Sequence, residues 1–270
     1  MGAKGGGAVR GFLSFLLDCL IPRSCLACGR GIGSFDPAAV PAATRATRRM
    51  KEFLDSGLRM ALFGGLTLSA DVLCAGCWSR LEPARGEGYL ARPSAGAKDV
   101  PLVSPFHTND EILALVRFLK FSGGRSAVPA LGWWMAAALR DYLAGLPVRD
   151  VSAPLLVPVP LHPKREKSRG YNQAALLAHE VAGRLGLDVD SRILMRIKNT
   201  KAQSTLDPER RSENVSGAFG LDRGECATGR NVILIDDLVT TGETARACIA
   251  ALEGAAPRSI AVLAAGRTKD

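Results

Sequence analysis

Four apolar residues, Val232-Ile233-Leu234-Ile235, run straight into two acids, Asp236-Asp237, and then into Leu238-Val239-Thr240-Thr241-Gly242-Glu243-Thr244. No other string constrains the fold as tightly. A short, β-branched, fully apolar run predicts a strand buried on both faces. Helical periodicity resumes from Gly242 to Glu253, so the string is a strand, a turn and the start of a helix. In open α/β sheets ligands bind at the carboxyl ends of strands. Small residues in such a turn free backbone N–H groups to face an anion, and the helix N-terminus adds a favourable dipole. Thr240, Thr241 and Thr244 add hydroxyl donors, which completes a phosphate cradle. The two acids cannot bind phosphate directly. They can accept hydrogen bonds from vicinal hydroxyls or hold Mg²⁺ through water. A phosphate beside a diol is the chemistry of a ribose 5-phosphate. The plainer alternative is a strand and capped helix with no ligand. The other common phosphate loop, G-x-x-x-x-G-K-[ST], is absent.

The surrounding pattern from about residue 105 to 270 alternates helix and strand. Asp110 can cap a helix over Glu111–Phe121, ended by Gly123-Gly124, and residues 126–143 predict a second helix. Leu155 to Pro160 predicts a buried strand that stops at prolines. Asn172 to Leu185 has helical periodicity with Gly186 as its stop. Arg192 to Ile197 and Ser259 to Ala264 predict further strands. Strands separated by helices imply βαβ units and a parallel sheet flanked by helices. Ahead of this domain, residues 93–104 hold Pro93, Gly96 and Pro101 and predict a linker. Residues 1–92 surround two cysteine pairs and contain a basic, apolar insert at 34–70 with Arg45, Arg48, Arg49 and Lys51.

The string around Asp236 and Asp237 resembles the phosphoribosyl pyrophosphate motif of type I phosphoribosyltransferases. That resemblance implies acids on the ribose hydroxyls and Thr240, Thr241, Gly242, Glu243 and Thr244 around the 5-phosphate. A second segment, Val157-Pro158-Val159-Pro160-Leu161-His162-Pro163-Lys164-Arg165-Glu166-Lys167-Ser168-Arg169-Gly170-Tyr171-Asn172-Gln173, gathers cations around a turn before a helix. Such a turn can receive a leaving pyrophosphate through Lys164, Arg165 and Arg169, with His162 nearby; otherwise it is a solvated basic loop. The segment is similar to the V-P-V-P-L-H…R-G-[FY]-N-Q signature of the ComF/GntX family. Leu119-Lys120-Phe121-Ser122-Gly123-Gly124 and Gln203…Arg211…Asn214-Val215…Phe219 fit that family too. The resemblance implies a type I phosphoribosyltransferase fold with a small N-terminal zinc-ribbon module. The polar stretch 199–211 stands where related transferases carry a loop that closes over substrate; an ordinary connection fits the sequence equally.

The chain has seven cysteines, an odd count that does not suit a secreted disulfide framework. Cys25-x-x-Cys28 and Cys74-x-x-Cys77 can together supply a Cys₄ zinc site. The family resemblance implies structural Zn²⁺ there. The long gap from Cys28 to Cys74 departs from the family, so the insert either loops out or marks a modified ribbon. Cys226 and Cys248 lack partners at metal spacing and read as buried, inert thiols. The apolar segment 11–17 is too short to span a bilayer, and the expected location is cytoplasmic.

A net charge of +9 suits phosphates, nucleic acid or a membrane surface, although an arginine-rich composition from a GC-rich genome gives the same count. Two functions follow. One is an enzyme that binds phosphoribosyl pyrophosphate with Mg²⁺ and transfers ribose 5-phosphate to an acceptor. The other is a nucleotide- or single-stranded-DNA-binding accessory factor with a helicase-like partner, since the family is associated with DNA uptake in competence.

Overall fold

The computed structural model describes residues 24–32, 72–84, 86–92, 98–121, 124–147, 152–198 and 217–269. The apolar segment at 11–17, the insert at 34–70 and the stretch at 199–211 lie outside the described residues. The chain divides into two compact units, 1–80 and 81–270.

In the second unit, each helix forms where local signals agree with burial. Helix α2, Asp110–Phe121, buries Ile112, Leu115, Val116 and Leu119 on one stripe, places Asp110 and Glu111 in its first turn and Lys120 in its last. That charge order suits the helix dipole. Its cap is Asn109, one residue before the expected Asp110: the Asn109 Oδ1 accepts from the Ile112 N–H at 3.0 Å. (Helix α1 is a single turn in the first unit, Ala75–Trp78.) Helix α3 covers Val128–Gly145. Helix α5, Gln173–Leu185, starts at Asn172, whose side chain accepts from the Ala174 and Ala175 N–H groups, and stops at Gly186 in the left-handed region. Helix α6 covers Glu243–Glu253.

The expected basic turn is itself a helix, α4, over Pro163–Arg169. Pro163 takes the first helical position, where a missing N–H costs nothing, and Gly170 closes the helix at φ 82°.

The strands are β1 (Gly88–Leu90), β2 (Val100–Val103), β3 (Phe106–His107), β4 (Leu155–Pro158), β5 (Asp188–Val189), β6 (Leu194–Arg196), β7 (Phe219–Leu221), β8 (Asn231–Val239) and β9 (Ser259–Arg267). Their order in the main sheet is β1-β2-β9-β8-β4-β5, with β3 also on β9; β6 and β7 form a separate antiparallel pair. Among the described strand pairs of the main sheet, β1–β2 is antiparallel and the others are parallel. The fold is therefore the mostly parallel α/β class that the alternating pattern predicts. The unit starts at Leu81, ahead of the boundary expected near 93–104. The reason is pairing: Leu102 and Val103 of β2 lie in register with Val262 and Leu263 of β9, so residues expected in a linker are sheet.

Both faces of β8 are covered. Val232 and Leu234 join a cluster with Ala245, Cys248, Ile249 and Leu252 of α6. Ile233 and Ile235, which alternate with them, are also buried. Each such side chain contributes roughly 1.5–3 kcal/mol by leaving water. That cost-free apolar setting makes the next two residues expensive, because β8 does not end at Ile235. Its pairing with β9 continues through Asp236↔Ala264 to Val239↔Arg267.

Candidate functional site

Asp236 and Asp237 sit inside the sheet rather than after it, 8% and 2% exposed. The Asp236 Oδ1 accepts from the Asp237 N–H at 2.8 Å. Asp237 Oδ1 meets the Lys120 ammonium at 3.0 Å. Asp237 Oδ2 is buried without a hydrogen-bond partner among the described residues. Burial first, and the neighbouring Asp237 second, push the Asp236 carboxyl up to about 7; Lys120, the Asp237 N–H and Arg196 pull against them. Two acids in one dry place resist ionising together.

The loop after β8 has the predicted form. Gly242 has φ 77° and stands at the N-terminus of α6. A Cβ there would come within 2.7 Å of Leu90 Cδ2 and push that side chain aside, and the left-handed backbone itself favours glycine. Thr240 and Thr241 are exposed, and Glu243 and Thr244 half-buried. Arg246, which sequence reasoning passed over, braces the loop: its guanidinium donates to the Thr241 carbonyl and, at 2.7 Å, to Glu243 Oε1. Glu243 is thus an internal partner of Arg246. Thr268 Oγ1 donates to the Thr240 carbonyl at 3.0 Å.

The basic segment reaches the same edge of the sheet. The Val159 N–H donates to the Ile235 carbonyl at 2.9 Å, so the chain leaves β4 directly beside the acids. Helix α4 follows and has no buried residue. Lys164 is exposed. Arg165 lies near enough to Arg196 that, after burial itself, it is the next cause of lowering the Arg196 pKa. Arg169 donates to Gln173 Oε1 and lies over the Phe121 ring at 5.7 Å. His162 Nδ1 accepts from the Lys164 N–H at 3.3 Å and caps α4. Lys120 and Arg196 are the cations that the sequence did not assign to the site. Lys120 stood within a quoted family string, but nothing in its spacing pointed to Asp237.

In the first unit, the Cys25, Cys28, Cys74 and Cys77 sulfurs all lie within 4.8 Å of one another. Each pair forms a tight turn: the Gly29 N–H donates to the Cys25 carbonyl at 2.8 Å and the Trp78 N–H to the Cys74 carbonyl at 2.9 Å. Tetrahedral zinc–sulfur bonds of about 2.3 Å set sulfurs roughly 3.8 Å apart. The Cys28–Cys74 sulfur separation is 3.7 Å, so this donor set fits zinc. Burial raises the Cys25 thiol, but backbone N–H groups of Cys74, Cys28 and Ala27 outweigh it and bring it to about 6. Cys77 moves strongly upward, through burial and its bonds to the other three sulfurs. The cluster is compatible with a zinc ribbon. No helix among the described residues is long and apolar enough to cross a membrane.

Comparison with known proteins agrees with the resemblance read from the motifs. Competence protein F of Haemophilus influenzae is 29% identical over 195 residues, 67% of this chain and 84% of its own. The DNA utilization protein YhgH of Salmonella typhi is 33% identical over 148 residues, 53% of this chain and 61% of its own. The chain is similar to these competence and DNA-utilization proteins. A further relative, competence protein ComFC of Bacillus subtilis, is 42% identical over 91 residues, 33% of this chain and 34% of its own. The match to the Salmonella relative spans about three fifths of that protein's length. No family model matches the chain. Among solved structures, a Thermus thermophilus protein aligns over 53% of this chain and 84% of its own at 18% identity and a TM-score of 0.31. An allosteric regulatory enzyme of purine biosynthesis aligns over 56% and 30% at 18% identity and a TM-score of 0.35. Superpositions this loose carry no argument.

Proposed function

We propose that this protein binds phosphoribosyl pyrophosphate and transfers its ribose 5-phosphate to a nucleophilic acceptor. The observation that carries the reading is one strand delivering two buried acids, one with an oxygen unpartnered among the described residues, directly before a glycine-bent loop at a helix N-terminus. Asp236 and Asp237 take the ribose hydroxyls. Thr240, Thr241, Gly242 and Thr244 take the 5-phosphate, and Lys164 and Arg165 receive the pyrophosphate. The anomeric carbon–oxygen bond breaks with its electron pair leaving on pyrophosphate. The acceptor then bonds to that carbon and gives up a proton. Mg²⁺, held through water by the acids, would supply charge neutralisation for the departing pyrophosphate. Catalysis comes from position and from fixed positive charge near the leaving group.

A second reading is favoured by α4, a basic helix with no fully buried residue, in a chain of charge +9. On that reading the site senses a nucleotide, and basic surface engages single-stranded DNA alongside a helicase-like partner. Electrostatic DNA binding falls steeply with salt, whereas pocket binding depends on the acids. Calorimetric titration of phosphoribosyl pyrophosphate with Mg²⁺ separates the two. Expected is saturable binding to the wild type that is lost in Asp236→Asn/Asp237→Asn, with zinc content equal in both. Absence of binding by zinc-loaded, folded wild type rejects the transferase reading in favour of the second.

A further inference from the structure

Three consecutive residues at the end of α2 each hold a different part of the candidate site. The Leu119 carbonyl accepts from the buried Tyr171 hydroxyl at 2.6 Å, which ties α2 to the start of α5. Lys120 pairs with Asp237. The Phe121 ring lies beneath Arg169 of α4. A helix that covers the sheet thus ends as a junction between the acid pair and the basic segment.

The Lys120 contact is uneven. Its side chain is 28% exposed and the Asp237 side chain 3%. A buried carboxylate needs a cation or several donors, yet Lys120 takes Oδ1 only, and Oδ2 has no hydrogen-bond partner among the described residues. The ammonium fixes the plane of the carboxylate, so that one oxygen stays on Lys120 and the other is set in one direction away from it. Lys120 stands in the last turn of α2, where a cation is favoured, and Tyr171 anchors the preceding residue.

We propose that Lys120 is a positioning residue for sugar recognition: it commits one Asp237 oxygen to the protein and orients the other, buried and unpartnered among the described residues, for a ribose hydroxyl. This rests on the ribose-phosphate reading above. It makes Lys120 an indirect determinant of sugar selectivity, without contact to the 5-phosphate.

The test compares two ligands in calorimetric titrations. One is ribose 5-phosphate. The other is tetrahydrofurfuryl phosphate, which keeps the ring and phosphate but has no ring hydroxyl. A charged hydrogen bond to a hydroxyl corresponds to about a 10- to 100-fold preference for ribose 5-phosphate in the wild type. Lys120→Met is expected to bring that ratio near one while leaving affinity for tetrahydrofurfuryl phosphate within about twofold. Lys120→Arg, which keeps the cation, is expected to restore most of the preference. Thermal unfolding of each variant checks that it is folded. An unchanged preference in folded Lys120→Met, or equal loss of both ligands in Lys120→Met and Lys120→Arg, overturns the proposal. A wild type that binds both ligands equally overturns the ribose reading itself, and this proposal with it.

Discussion

Two clusters in this protein crowd like-charged groups together, and they resolve the crowding in opposite ways. The cysteine cluster gathers four thiols within 4.8 Å. Its two cysteine turns bury little beyond Cys25, Val72, Leu73, Cys77 and Trp78. Backbone N–H groups hold Cys25 down while burial and the other sulfurs push Cys77 up, so the four thiols resist ionising together. A metal such as zinc would supply the counter-charge this donor set lacks. The acid pair instead sits on a nine-residue strand of the main sheet and carries its cations with it, Lys120 and Arg196. A site that imports charge depends on its ligand to fold. A site with internal cations stands preformed and bears the strain of partial neutralisation.

Metal removal should divide the two most sharply. Structural zinc in small modules is worth on the order of 10 kcal/mol, far more than the turns around these cysteines can supply. Stripping zinc with a strong chelator, or substituting Cys77→Ser, should open residues 24–32 and 72–80 to limited proteolysis. Binding of phosphoribosyl pyrophosphate with Mg²⁺, restored after the chelator is removed, should be unchanged. If affinity at the acid pair falls together with zinc content, the clusters are not independent and the contrast fails.

How legible each cluster was follows from the range of its contacts. The strand–turn–helix around Asp236 could be read because every signal lies within one continuous string: apolar run, acids, glycine, threonines. Asn172 and Gly186 marked the ends of α5 for the same reason. Lys120, Arg196 and Tyr171 act across the fold, and their partners are 117, 40 and 52 positions away for Lys120–Asp237, Arg196–Asp236 and Tyr171–Leu119. No local period records such a pairing. The strands β1 and β2 were hidden for a related reason. Pro101 suggested a linker, while the pairing that makes a strand is supplied by β9, far along the chain. Helix α4 was missed because its face is polar all round, and amphipathic periodicity, the usual signal, is absent from a helix with no buried residue.

Asp236 allows the strain in the preformed site to be measured. Its folded carboxyl is held at about 7 against an ordinary 3.8, by burial first and Asp237 second. The folded state therefore favours the protonated form. Stability from this group is fully present below about 3.8 and is lost as pH rises through about 7. Asp236→Asn, a fixed neutral mimic, should unfold at nearly the wild-type temperature at pH 4 and roughly 4–8 °C higher at pH 8. The same variant should bind phosphoribosyl pyrophosphate poorly at both. A variant less stable than wild type at pH 8 would mean that the acid is ionised and satisfied in the fold, and the site would then be unstrained.

The smallest effect should come from Tyr171→Phe, and its size decides how rigidly the internal cation is held. The change removes one buried hydrogen bond, 2.6 Å to the Leu119 carbonyl, and keeps the ring that lies beneath Arg125 at 5.1 Å. The expected cost is about 1–2 kcal/mol, since a buried carbonyl at a helix end loses its donor while packing is retained. Lys120 follows Leu119 directly, so the released helix end should loosen the Asp237 contact without abolishing it. Selectivity for ribose 5-phosphate over tetrahydrofurfuryl phosphate should then fall by a factor of about two to five, less than in Lys120→Met. A loss as large as that of Lys120→Met would mean that the ammonium holds Asp237 only while Tyr171 holds the helix. The end of α2 would then be one cooperative brace, and the preformed site would depend on a remote support much as the cysteine cluster depends on its metal.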